Sequence, residues 1–136
     1  MDVIYAMFSM VILTAIVGVM TAYSRIKSAY AGEIDPRYFR LMSQYKVTDV
    51  VAKFGRNLDN LFEVPVLFYA AGVTALALSL NDQLFLLLAW LFVVLRIIHT
   101  IIHLTYNQPM HRFAPFILSF LCVVGMWIRL IILINK

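Results

Sequence analysis

Ala77-Leu78-Ser79-Leu80-Asn81-Asp82-Gln83-Leu84-Phe85-Leu86 decides the fold of this 136-residue chain. Three polar residues, Asn81, Asp82 and Gln83, separate two apolar runs, about 60–80 before them and 84–106 after them. Each run is close to the roughly 20 residues that cross ~30 Å of hydrocarbon as a helix rising about 1.5 Å per residue. So short a connection leaves the second run one path, back beside the first and antiparallel to it. The stretch predicts a hairpin of two membrane spans.

Working outward, the run 3–24 carries no charge from Val3 to Tyr23 and is closed by Arg25 and Lys27. Gly18, Thr21, Ala22 and Ser24 give its lower end small residues that permit close helix contact. On the other side, 113–134 forms a fourth span, interrupted by Arg129 and followed by Asn135-Lys136. The prediction is an all-α, integral-membrane four-helix bundle of up-down topology, one domain over 1–136. Composition agrees: 63% of residues are hydrophobic and 13% charged, against about 25% charged in a soluble domain. Mean hydropathy is +0.90. Met1-Asp2 offers no basic lead-in and the apolar run after it exceeds a signal-peptide core, so the first span is expected to remain. The lone Cys122, in the middle of the last span, excludes an internal disulfide and reads as a small packing residue.

The long connection, 25–59, holds Arg25, Lys27, Arg37, Arg40, Lys46, Lys53 and Arg56. Its middle, Ala31 to Arg37, carries turn residues and is expected to be irregular. From Thr48, an N-cap candidate, the pattern of Val50, Val51, Phe54, Leu58, Leu61 and Phe62 is helical, so the second helix should begin outside the membrane. Pro65, one turn inside, removes a backbone donor and should bend it. With Arg112 added, eight basic residues fall on the side of the first and third connections, and Lys136 at most on the other. The positive-inside rule then predicts non-cytoplasmic termini and a cytoplasmic 25–59 loop. Because these basic residues border spans rather than form a patch interleaved with aromatics, the net charge of +4 argues topology and not nucleic-acid binding.

The polar residues inside the spans are the candidates for function. Arg56, Asn60 and Glu63 stand at i, i+4 and i+7, one stripe of a helix. Arg96, His99 and His103 stand at i, i+3 and i+7 late in the third span, and Asn107 continues them. The two stripes lie at similar depth on antiparallel neighbours. Charges inside a bilayer are costly and face protein, water or ligand. One reading is that Glu63 and Arg96 neutralise each other. Six polar residues at one level fit better with a polar ligand bearing several charges. A metal on His99 and His103 lacks a third ligand on that helix and meets the repelling Arg96. A proton-coupling role for Glu63 in a small exporter fits the arginine-rich setting less well. Arg112, opening the last span, is either an interfacial anchor or part of the site. Arg129 reads as a snorkelling or paired residue away from the cluster.

Taken together, Arg56-x-x-x-Asn60-x-x-Glu63 followed by Pro65, Arg96-x-x-His99, and Arg112-Phe113-Ala114-Pro115 resemble the membrane-associated proteins in eicosanoid and glutathione metabolism, the MAPEG family. The run Arg96 to Asn107 resembles its bacterial branch, and the likeness to microsomal glutathione transferases covers essentially the whole chain. The resemblance implies a homotrimer in a bacterial inner membrane, with glutathione as co-substrate held between protomers near the cytoplasmic side. No metal is implied, and a hydrophobic small molecule is the second substrate. Carried over, Arg56 would hold a glutathione carboxylate and Glu63 its ammonium, with Asn60 beside them. Arg112 would stabilise the thiolate, and Arg25, Arg96, His99, His103 and Tyr106 would surround the tripeptide. Val64 stands where some members carry a tyrosine after the motif glutamate. Ile101, His103, Thr105 and Tyr106 stand where eicosanoid-forming members carry tyrosines. The activity implied is glutathione transfer or peroxide reduction on hydrophobic electrophiles; the alternative is a non-catalytic protein of the same fold that binds a ligand or partner.

Overall fold

The computed structural model describes residues 2–42 and 45–135. Among them are five helices and no strand: α1 (Asp2–Tyr30), α2 (Tyr38–Leu41), α3 (Asp49–Ala77), α4 (Gln83–Leu104) and α5 (Pro109–Ile134). α1, α3, α4 and α5 are long and apolar enough to cross a membrane. The chain is an all-helical, multi-pass integral membrane protein whose spans contact the bilayer. Met1 and Lys136, on which the signal-peptide and charge-count readings touch, lie outside the described residues.

Helix ends follow local chemistry, not the membrane boundary. α1 continues past Arg25 and Lys27 because helical hydrogen bonding does not need lipid. It stops where Gly32 adopts φ 71° and Glu33 N–H donates back to the Ser28 carbonyl, a turn that favours glycine. α3 opens on Thr48, whose hydroxyl accepts from Val51 N–H at 3.4 Å. Asp82 caps α4 by accepting from Phe85 N–H at 2.8 Å, so the tight turn that decides the topology also starts the next helix. α5 begins at Pro109, four residues ahead of the expected span, because proline suits a first helical position and Gln108 is extended. The middle of the long connection is irregular, as its turn residues require. It nevertheless folds back: α2 brings Tyr38 with Ile34 against Val51, and Tyr45 and Val47 pack on them.

The buried positions run 57, 61, 64, 68, 71, 75 on α3 and 85, 89, 92, 96, 99, 103 on α4. This alternation of three and four residues is the spacing of knobs-into-holes packing between nearly parallel helices. α4 packs most extensively on α5, and α1 on α3, so the sequential hairpin partners α3 and α4 are not the tightest pair. The seam is apolar toward the Asp82 turn, where Phe68 stacks on Phe92 with centroids 4.5 Å apart. Toward the long connection it turns polar, with Asn57, Arg96, His99 and His103 in the same register. Cys122 is a buried member of the apolar half.

Candidate functional site

The polar half of the seam lies where α1 and α4 end and α3 and α5 begin. Lys53 on α3 sets this geometry: its Nζ donates to the carbonyls of Leu104 at 3.4 Å and Thr105 at 3.1 Å. A cation on the unpaired carbonyls of a helix C-terminus is favourable. It ties the end of α4 to the start of α3. Thr21 similarly reaches from α1 to the Phe54 carbonyl at 3.3 Å.

Within this frame Arg96 is fully buried, and His99 and His103 are 3% and 1% exposed. Arg96 Nη2 donates to the Asn60 carbonyl at 2.6 Å and its guanidinium lies 5.8 Å from the Phe116 ring centre. His99 Nδ1 is 2.9 Å from the Arg112 carbonyl, and His103 Nε2 is 3.2 Å from Arg112 Nη1. The same Nη1 donates to Asn107 Oδ1 at 2.5 Å. Asn107 sits at φ 51°, a left-handed conformation asparagine tolerates, and this turns its side chain back toward α5. Several buried polar atoms have no partner among the described residues: both amide atoms of Asn57, Nε and Nη1 of Arg96, Nε2 of His99, Oγ1 of Thr100 and Nδ1 of His103. Unpaired groups of this kind are expensive and mark a functional or hydrated region.

The first stripe faces another way. Arg56 and Glu63 are exposed and Asn60 is half-buried. Arg56 joins Arg25, Asp59, Tyr38 and Tyr45 around a cavity of about 490 Å³ at the same end of the bundle. Arg25 lies against Gly55, where an added Cβ would come within 3.4 Å of Nη2. Glu63 forms no ion pair with Arg96; among the described residues the ion pairs are Arg37–Asp35 and Arg129–Asp82. Arg129 is thus a paired residue at the opposite end, as its position suggested. Tyr106 lies beyond the end of α4 and is exposed, its hydroxyl 3.3 Å from His111 Nδ1.

The expected residues therefore form two groups. Arg96, His99, His103 and Arg112 meet inside the bundle, while Arg25 and Arg56 line the cavity, with Glu63 on the outer face. Asn57 and Lys53 escape a reading built on the Arg56 stripe. The signal for Asn57 is its place one turn before Leu61 in the 57, 61, 64, 68 seam, where an amide is out of character. Arg25, Lys53, Arg56, Arg96 and Arg112 outnumber Asp59 and Glu63 at this end, so the region suits an anionic ligand. His99 and His103 each commit one ring nitrogen to Arg112. Among the described residues no group of three or more His, Cys, Asp or Glu side chains stands together to hold a metal.

The model of one protein family, described as the MAPEG family, matches residues 3–132. No curated protein and no solved structure matches the chain.

Proposed function

The chain belongs to the MAPEG family, and from that premise we propose that it is a membrane-bound, glutathione-dependent transferase or peroxidase that activates the glutathione thiol against hydrophobic electrophiles. The observation that carries this reading is the gathering of arginines at one end of the bundle: Arg25 and Arg56 share a cavity, and Arg112, across the buried seam from it, is fixed by His103 and Asn107. Glutathione has two carboxylates, an ammonium and a thiol. Arg25 and Arg56 suit its carboxylates and Glu63 its ammonium, with the Asn60 amide between them. Arg112 stabilises the thiolate, which is the nucleophile. The sulfur forms a bond to the electrophilic carbon, and the leaving group departs with its electron pair. An apolar groove lined by Leu61, Phe62, Val66 and Val11 runs beside this stripe and offers the electrophile a place to enter from the bilayer.

Glu63 also supports assembly. It is exposed beside Phe62, Val66 and Leu67, apolar residues that would meet lipid on an isolated protomer. A carboxylate there needs cover. A second copy supplies it in a homotrimer, with the ligand between protomers and the basic end toward the cytoplasm of a bacterial inner membrane.

Purified protein in detergent tests the reading. Added glutathione should develop thiolate absorbance, and a chlorinated nitroaromatic should be turned over. Arg112→Ala removes a charge-assisted hydrogen bond of about 1.5–3 kcal/mol, so turnover should fall roughly 10- to 100-fold. Failure of the wild-type protein to bind glutathione sinks the proposal. Binding without turnover of any electrophile leaves a ligand-holding protein in place of an enzyme.

A further inference from the structure

We infer that His99 and His103 are positioning residues that hold Arg112 by both its backbone and its guanidinium. The inference rests on the glutathione reading for its consequence in activity, but its geometry stands without it. Both rings are almost wholly enclosed inside one protomer, whereas Arg112 is only half-buried. Arginine has no acceptor, so the contact between Arg112 Nη1 and His103 Nε2 makes Nε2 the acceptor. His103 is then neutral with its proton on Nδ1. A carbonyl oxygen has no proton, so His99 Nδ1 donates to the Arg112 carbonyl and also carries the ring proton. Both histidines adopt the same tautomer, and each spends its partnered nitrogen on one residue of α5.

The consequence for Arg112 is a fixed pose. Nη1 is shared between His103 Nε2 and Asn107 Oδ1, one from the end of α4 and one from the turn after it. Nε and Nη2 make no hydrogen bond among the described residues, which leaves them to a thiolate. An arginine side chain that starts in its working geometry loses less rotamer freedom when the anion arrives. The spacing of four residues between His99 and His103 follows from this role: one helical turn separates the backbone anchor from the side-chain anchor.

Two measurements decide the matter. In the ligand-free protein, nitrogen NMR of isotope-labelled imidazoles should find both rings protonated on Nδ1, with the His103 Nε2 signal moving on Arg112→Ala. With glutathione bound, His103→Leu should lower the thiolate fraction at neutral pH roughly 10-fold while glutathione affinity changes less than about threefold. His103→Gln, whose side-chain oxygen can replace Nε2, should restore most of the loss. Asn107→Gly, which keeps the left-handed backbone and removes Oδ1, should give a similar deficit. A His103 ring protonated on Nε2, or one indifferent to Arg112→Ala, overturns the clamp. So does a His103→Gln variant as impaired as His103→Leu. If the wild-type protein binds no glutathione, the functional reading fails, and the spectra alone decide the clamp.

Discussion

Arg96 is the most revealing single residue, because its burial sets desolvation against packing. One hydrogen bond to the Asn60 carbonyl cannot repay the removal of a guanidinium from water, and Nε and Nη1 go without partners among the described residues. Arg96→Met keeps most of the volume and removes the charge. Thermal unfolding in detergent should therefore find it as stable as the wild type or slightly more so. Arg96→Ala loses the same bond and leaves a cavity, and should cost about 2–4 kcal/mol. A large loss in both variants would mean that the charge itself holds α4 to α3. At this scale the sequence is legible by residue type and spacing: Arg96, His99 and His103 do share one face. Three things are hidden from it. Spacing does not say which ring nitrogen meets which partner, nor that the stripe points inward, nor that Asn57 belongs to the same seam. Arg56 and Asn57 are neighbours in sequence, yet one is exposed and the other buried, which only the packing of α3 against its neighbours decides.

At the scale of elements, the hairpin between α3 and α4 is legible because three polar residues cannot support any other connection. How it is locked is less so. Asp82 both caps α4 and takes two hydrogen bonds from Arg129, 47 residues away on α5, at 3.0 and 2.7 Å. The Arg129 hydrogen bond, with the Phe85 N–H, holds the Asp82 carboxyl down to about 2, below its usual 3.8. A carboxyl whose folded value is depressed stabilises the fold above its unfolded value and loses that contribution as pH falls through the folded one. Asp82→Asn keeps a capping oxygen and deletes the charge. The gap in unfolding temperature between wild type and Asp82→Asn should stay constant from about pH 8 to 5 and close below about pH 3. A gap that closes near neutrality would show that another group controls this end. Helix limits were harder to read than spans. Arg25 and Lys27 close the uncharged run, but α1 runs on to Tyr30 because backbone hydrogen bonding does not stop at a charged side chain. α1 and α3 meet at Gly72, where an added Cβ would lie 2.6 Å from Met7 Sδ. Met7 is flexible, so Gly72→Ala should be mild, whereas Gly72→Leu should force the helices apart and lower the unfolding temperature.

At the scale of the whole molecule, the candidate residues stand apart within one protomer. Arg25 and Arg56 line an open cavity, Glu63 looks outward from α3, and Arg112 is clasped on the far side of the buried seam. Composition and span length reveal a membrane bundle, but apolar outer faces look alike whether they meet lipid or another copy, so assembly was not legible from residues alone. If a neighbouring copy completes the site, ligand binding and assembly are linked. A ligand that binds only the assembled form stabilises it by about 2.7 kcal/mol at a hundredfold excess over its Kd. Glutathione should then raise both the unfolding temperature and the dilution at which the assembly dissociates, read as mass in detergent. Glu63→Gln removes the charge proposed to meet the ammonium and should abolish most of both shifts while the protein still folds, because Glu63 makes no ion pair among the described residues of its own protomer. A monomer that binds glutathione with no change in mass would place the whole site within one chain. An assembly indifferent to glutathione, with Glu63→Gln less stable than wild type, would make the stripe a device for holding copies together.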